Sequence, residues 1–419
     1  MPPSSKSQNI RALFFALLAG GQSTLHNILV SEDMIDAVRV CRSLGAEINQ
    51  QANKLTIKSS GLPLPKIAHA IFSGNSGITT RFALPLLGYR DQVNKPVVFD
   101  CGEQMRARPI QTLVAALTNL GMSIEYIEKH GSFPLKVTGR LRGGRTEVGG
   151  LSSQYLSALL IAAPCAESDS EIIVKNLHER PYMEMTLNWL KQQNIQYRHE
   201  QSGDHDLFII NGQQHYQPFE KSITGDFSSA SYLIAAGALL GGTVELQGLD
   251  MRDPQGDKRL VEILQQMGAD IRIEPSKLII AGGKPLRGIT IDANDIPDLL
   301  PTLAVIGTQA EGHTAILNVA QARIKETDRI HSITQGLSRM GAKVQEHADG
   351  LTVYPCRLKG NSIQGYGDHR TVMAMSLAGL LAQGTTQIDD ADAIEKTFPS
   401  FVKIMQSLGA NMELQSALK

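Results

Sequence analysis

One phrase recurs along this 419-residue chain and narrows what it can fold into. A helix-like run ends in Leu or Met followed by Gly, and an alternating segment begins. The copies are SLGAEI at Gly45, NLGMSI at Gly121, QMGADI at Gly268, RMGAKV at Gly341 and SLGANM at Gly409, with a weaker copy, KQQNIQY, at Asn194. They lie roughly 70 residues apart, and self-similarity at a fixed period marks a chain assembled from one repeated supersecondary unit. A second phrase keeps the same rhythm: apolar helices end in AGGQSTLHNI, LGGTVELQGL, AEGHTAILNV and AQGTTQIDDA. There a glycine stops the helix and alternation starts a strand. With the short alternating segments KLTIKS, LKVTG, DLFIIN, KLIIAG and LTVYP, each unit reads helix, strand, helix, strand, strand.

Six α/β units are too many for one ordinary core, so the length fits two globular domains of three units each. In later units a strand leads into the apolar helix, as in RTEVGGLSSQ, KSITGDFSSA, GITIDANDIPD and NSIQGYGDHR. The first unit has only Met1 to Ser4 before its helix, and the last, SLGANMELQSALK, stops before its second strand. The expectation is therefore a trimmed amino end or completion by some other pairing, with the MELQSAL tail as one candidate.

Charge is nearly balanced, 40 basic against 41 acidic residues, so no strongly basic balance suggests nucleic acid as a partner. Any anion site must come from a few focused cations. Cys41, Cys101, Cys165 and Cys356 are widely separated and read as buried free thiols in a reducing compartment. Histidines show no metal-ligand spacing, and no Walker loop or GxGxxG is present. The run ALFFALLAGG after Lys6 and Arg11 imitates a secretory signal. Similar runs recur inside the chain, however, so it reads as a core helix, too short to span a bilayer. A cytoplasmic protein with no membrane partner is expected.

The segments just ahead of the apolar helices are rich in polar residues: SSKSQNIR, GNSGITTR, GLSSQ, GDFSS, DIPD and GDHR. Helix amino termini expose unpaired N–H groups and the positive end of the macrodipole, so they favour anions. Capping accounts for the Ser, Asp and Asn residues. It does not account for Lys6, Arg11, Arg81 and Arg370, cations at the disfavoured end of a helix, which imply a bound anion. Arg106 and Arg108 in GEQMRARPI, and Lys325, Glu326, Asp328 and Arg329 in IKETDR, add to the set.

These segments resemble those of the EPSP synthase (3-phosphoshikimate 1-carboxyvinyltransferase) family. SKSxxxR at Ser5 to Arg11, GNSG at Gly74, RARP at Arg106, SSQ at Ser152, RPY at Arg180, GDFSSASY at Gly225, KETDR at Lys325, DHR at Asp368 and KTFP at Lys396 follow the family order. The resemblance implies an α/β fold of two three-repeat domains, residues 5–224 and residues 225–419 with 1–4, the substrate cleft lying between the domains at facing helix amino termini. It also implies a cofactor-free, metal-free transferase, expected to be a monomer. Its substrates would be phosphoenolpyruvate and shikimate 3-phosphate.

By the same resemblance Lys6, Gly77, Arg108, Gln154, Arg329, Arg370 and Lys396 bind phosphoenolpyruvate. Arginine suits the task because its planar fork pairs bidentately with carboxylate or phosphate. Lys6, Ser7, Arg11, Gln154, Tyr182, Asp298 and Gln321 match contacts to shikimate 3-phosphate, with Ser152, Ser153 and Lys325 on its phosphate. Glu326 and Lys6 are the expected proton carriers, Asp298 orients or accepts from the attacking hydroxyl, and His369 supports nearby.

Five departures stand out: Ser4 for a glycine, Ile78 for a threonine, Gln321 where Asn is frequent, the absent leading strand, and Glu179 for a phosphate-binding serine. Glu179 is expected to turn away from the phosphate, leaving Arg180 or His178 closer to it, since a carboxylate beside a phosphate repels it. Its presence also keeps open a paralogous transferase with another phosphorylated alcohol as acceptor. The retained Lys6, Asp298, Glu326 and Lys396 weigh against a non-catalytic binding protein of the same fold. Glu103, where the nucleotide-sugar branch would carry a cysteine, weighs against that branch.

Overall fold

The computed structural model describes residues 1–65 and 70–415, which divide into two compact units. One is Lys6–Ile223; the other joins Met1–Ser5 to Thr224–Lys419.

In the Lys6–Ile223 unit, the helices Lys6–Leu18, Gly77–Leu86 and Ser153–Ala162 are buried on nearly every side. A helix apolar all round has no solvent face and must sit inside a core. The ALFFALL run is accordingly core: Phe14 meets Phe82 edge-on at 5.8 Å, and Phe15 stacks on Trp189 at 5.2 Å. Three four-stranded sheets surround these helices, and their strands alternate buried and exposed residues, as Lys54–Ser59 does. Each sheet has the same construction. A leading strand lies parallel to the strand after the inner helix, and an antiparallel hairpin continues the sheet: Ala70–Phe72 beside Val97–Asp100, Gly144–Gly149 beside Ser170–Lys175.

The first repeat is not short of its leading strand. Glu220–Ser222 pairs parallel with Gly21–His26, Thr24 opposite Glu220, and fills that place from the far end of the unit. The sequence reading had attached KSIT to the helix that follows it. Pairing across the whole unit outcompetes that local continuity, because the parallel edge of Gly21–His26 otherwise lacks backbone partners.

The repeated glycine has a plain cause. Gly45, Gly121, Gly268, Gly341 and Gly409 all have φ between 92° and 106°, a left-handed turn that ends the helix and launches the hairpin. Asn194, in the weak copy, has φ 57° and does the same work, asparagine being the side chain that tolerates this region best.

In the other unit the inner helices are Phe227–Leu239, Leu300–Gly307 and His369–Leu381. The four-stranded sheet Thr290–Asp292, Thr314–Leu317, Gly350–Val353 and Val344–His347 repeats the construction in full. Thr243–Gln247, Lys277–Ala281 and Asp270–Ile273 form a three-stranded version, and Ser362–Ile363 with Gln387–Ile388 a parallel pair. Residues 411–415 contain no strand, and the rest of the MELQSAL tail lies outside the described residues. Pro3–Ser5 lies antiparallel to Thr224–Asp226, bonded Ser5 N–H to Thr224 O at 2.8 Å and Asp226 N–H to Pro3 O at 2.9 Å.

None of the four cysteines forms a disulfide; Cys41 and Cys101 are buried, Cys165 and Cys356 partly so. Burial pushes the Cys101 and Cys165 thiols up to about 12, so neither is a ready nucleophile. Among the described residues no helix is long and apolar enough to cross a membrane.

Candidate active site

The predicted residues fall in two groups, one on each unit; Lys6, Gly77, Ser152, Ser153, Gln154, His369 and Arg370 lie at the amino ends of inner helices, and the rest further along them or on neighbouring turns and helices.

In the Lys6–Ile223 unit, Lys6 opens its helix with its ammonium 3.1 Å from Asp33. One turn on, Arg11 is 1% exposed and acts as a brace. Its guanidinium donates to the Thr186 hydroxyl at 2.9 Å, the Ser157 hydroxyl at 3.3 Å, the Tyr182 carbonyl at 2.8 Å and the Ser7 carbonyl at 3.1 Å. These bonds tie three helices together through neutral oxygens.

Gly77 begins the second inner helix, and the Arg108 guanidinium lies directly over it. A Cβ at Gly77 would stand 2.5 Å from Arg108 Nη1 and 3.2 Å from Arg81 Nη1, so any side chain here displaces a predicted phosphoenolpyruvate ligand. Arg81 donates to Gln154 Oε1 at 2.5 Å and lies over the Tyr155 ring at 5.1 Å, an interaction sequence reasoning had not assigned. Arg106 is drawn away to Asp100, its Nε at 3.0 Å.

Ser152 and Ser153 form the amino end of the third inner helix, and here the structure overturns an expectation. Glu179 does not turn away. It is 1% exposed, and its Oε2 accepts from the Ser153 hydroxyl at 2.7 Å and the Ser153 N–H at 3.2 Å. Arg180, expected nearer that spot, instead forms a two-point pair with buried Asp206 at 3.0 and 2.7 Å. His199 shares Asp206 at 2.7 Å while stacking on Phe208. Burial alone would raise the Asp206 carboxyl; the bonds from Arg180 and His199 outweigh it and keep it low. A buried carboxylate thus captures the cation, and the left-handed backbone at Glu179 (φ 57°, ψ 41°) turns its own carboxylate toward Ser153. Tyr182 follows in the first turn of the Arg180–Gln192 helix, half-buried.

In the other unit the centre is Arg329, whose side chain is 1% exposed among three carboxylates. It meets Asp298 at 2.6 Å, Glu326 at 2.7 Å and Asp368 at 3.0 Å, and Arg370 meets the second oxygen of Asp298 at 2.9 Å. Asp368 also caps the His369–Leu381 helix by accepting from Thr371 N–H at 2.7 Å, and Asp328 caps Arg329–Arg339 through His331 N–H at 3.0 Å. Cations at these helix starts therefore stand beside the protein's own anions. Burial works to raise the Asp298 carboxyl, but Arg370, Arg329 and Lys325 overcome it and hold it well below the usual range. Burial would lower the Arg329 pKa; Asp368, Glu326 and Asp298 raise it instead.

Sequence reasoning missed Asp257. Its carboxyl is pushed up to about 7, by burial first and then by Asp298, and it accepts from the Ser228 hydroxyl. The segment QGDK gave no signal beyond ordinary turn polarity. His369 is buried at the helix start, Lys396 donates to the Gly367 carbonyl at 2.7 Å, and Lys325 is half-exposed after the Ala320–Ile324 turn. Gln321 is fully buried and donates to the Asn294 carbonyl at 2.7 Å.

The fold has close solved relatives. EPSP synthase from Acinetobacter baumannii superposes with a TM-score of 0.81 at 25% identity, over 99% of this chain and 96% of that one. The enolpyruvyl transferase NikO from Streptomyces tendae, at 17% identity, shares the fold with a TM-score of 0.79 over 99% of this chain and 95% of that one. In sequence, the 3-phosphoshikimate 1-carboxyvinyltransferase of Acetivibrio thermocellus is 44% identical over 98% of this chain and 95% of its own length. That of Methanocaldococcus jannaschii is 38% identical over 99% and 96%. The profile of EPSP synthase (3-phosphoshikimate 1-carboxyvinyltransferase) matches residues 1–405, and the chain belongs to this family.

Proposed function

We propose that this chain transfers the enolpyruvyl group of phosphoenolpyruvate to the 5-hydroxyl of shikimate 3-phosphate and releases phosphate. The observation that carries the reading is the Arg329 centre: in a member of this family, Asp298, Glu326 and Asp368 surround one buried guanidinium, and Arg370 joins them through Asp298. Two polyanionic substrates demand such fixed cations, which stabilise charge without reorganising.

In the reaction a proton adds to the methylene carbon of phosphoenolpyruvate as the acceptor oxygen bonds to the neighbouring carbon. The tetrahedral adduct then loses phosphate while a proton leaves the new methyl group, restoring the double bond. Glu326 and Lys6 carry protons, and Asp298 takes the hydroxyl's hydrogen bond. Held low by Arg370 and Arg329, Asp298 is a weak base in the unliganded chain. A substrate anion that engages those arginines neutralises part of their field, so the Asp298 carboxyl rises and accepts a proton more readily. Arg108, Arg329, Arg370 and Lys396 serve phosphoenolpyruvate, with the Gly77 backbone along it. Ser152, Ser153 and Lys325 serve the acceptor's phosphate.

Phosphate release from phosphoenolpyruvate, with and without shikimate 3-phosphate, is the direct test. Acceptor-dependent release is expected; no release with this acceptor, from protein that melts cooperatively, overturns the reading.

A further inference from the structure

The Ser153 donors assigned above to the acceptor's phosphate already hold an anion. Glu179 Oε2 takes both the N–H and the hydroxyl of Ser153, at 3.2 and 2.7 Å, and is buried there. Three features keep it in place. The residue has a left-handed backbone, φ 57°, which costs a non-glycine residue free energy and is sustained only by its surroundings. Its flanks are pinned, His178 N–H to Gly150 O at 3.0 Å and Tyr182 N–H to Glu179 O at 3.0 Å. Its cationic neighbour Arg180 is committed to Asp206.

We propose that Glu179 is a specificity-determining residue: its carboxylate occupies the seat of the acceptor's phosphate, and the acceptor binds by exchange. This rests on the assignment of Ser152 and Ser153 to that phosphate. One N–H and one hydroxyl proton cannot serve a carboxylate and a phosphate at once, and two anions at that distance repel. Entry of the phosphate therefore drives the Glu179 side chain out of the helix terminus by rotation, with no covalent step. A phosphate dianion, with more charge and three terminal oxygens, competes with a carboxylate for these donors; an acceptor with a hydroxyl or a lone carboxylate at that position does not. The carboxylate lowers affinity for the true acceptor and excludes unphosphorylated analogues more strongly.

The test measures Kd for shikimate 3-phosphate and for shikimate with wild type, Glu179→Ser, Glu179→Gln and Ser153→Ala, with thermal melting to establish folding. Glu179→Gln keeps the side chain's length if Glu179→Ser proves too disruptive. Losing the competing charge-assisted bonds should tighten shikimate 3-phosphate binding by about tenfold or more in Glu179→Ser, and less in Glu179→Gln. The preference for the phosphorylated acceptor should narrow in both. Added to Glu179→Gln, where no carboxylate competes for the hydroxyl, Ser153→Ala should weaken shikimate 3-phosphate. If Ser153→Ala weakens it while both Glu179 variants bind it as wild type does, or more weakly, the seat stands and the exchange is wrong. If Ser153→Ala leaves Kd unchanged in the Glu179→Gln background as well, the phosphate sits elsewhere, and the assignment and the exchange both fall.

Discussion

Arg11 and Arg329 are both guanidinium groups at 1% exposure near the start of a helix, yet their surroundings are opposite. Arg11 rests on two hydroxyls and two backbone carbonyls; Arg329 rests on three carboxylates. The bond to the Tyr182 carbonyl of a neighbouring helix cannot be exchanged without moving the backbone, so it ties Arg11 to packing. Carboxylate side chains can rotate or trade partners, so the Arg329 centre stores charge that a substrate can redirect. Burial of a cation alone does not separate a brace from a ligand site; the exchangeability of its partners is the physical difference to test.

The largest expected effect tests the proton carriers, Glu326 on the exchangeable side and Lys6 beside Asp33. Glu326→Gln and Lys6→Met should each lower kcat by about 10²–10⁴-fold, the usual contribution of a positioned proton carrier, with the melting temperature little changed. Rates within threefold of wild type at saturating substrates, in both variants, would break the contrast at its functional end. Next is the brace. Arg11→Met should lower unfolding free energy by about 2–4 kcal/mol, because Thr186, Ser157 and two carbonyls lose their donor inside the core. A wild-type denaturation midpoint accompanied by a raised acceptor KM would move Arg11 to the ligand side.

The smallest effect is one of pH. Asp257 has a folded pKa raised from 3.8 to about 7, so the folded chain binds more protons there than the unfolded chain. Its contribution to stability is fully present below pH 3.8 and declines as pH rises through about 7. Asp257→Asn, which cannot ionise, should match wild type near pH 4 and be the more stable of the two at pH 8 in denaturant titrations. Equal stability at both pH values would mean that Asp257 is ionised at no cost, and that the carboxylates around Arg329 and Arg370 are not crowded.

The sequence made the repeated unit legible because its signal is local: a left-handed turn needs Gly or Asn at one place in each copy, from Gly45 to Gly409. Clustering of Asp298, Glu326, Arg329 and Arg370 could be expected because short motifs carried them. Two features were not legible. Pairing of Glu220–Ser222 with Gly21–His26 joins segments almost a whole unit apart, and nothing in KSIT distinguishes that partner from the following helix. The direction of Glu179 depends on a positive φ at a residue type that rarely adopts one, and on Asp206, a buried acid whose claim on Arg180 no local pattern discloses.

Pairing of Glu220–Ser222 with Gly21–His26 also has a consequence for how the chain is threaded. It brings the two ends of Lys6–Ile223 side by side, where Ser5 N–H bonds to Thr224 O at 2.8 Å. The segment is thus an insertion: the chain leaves the Met1–Ser5 segment, completes a closed set of three repeats, and returns to the point of departure. The inserted unit is continuous in sequence and can close as it emerges from the ribosome. The host unit must bring Met1–Ser5 to Thr224 across roughly 200 intervening residues, an entropic cost that grows only with the logarithm of loop length and shrinks once the insertion has folded. Synthesis and topology therefore favour one order, the insertion first and its host second.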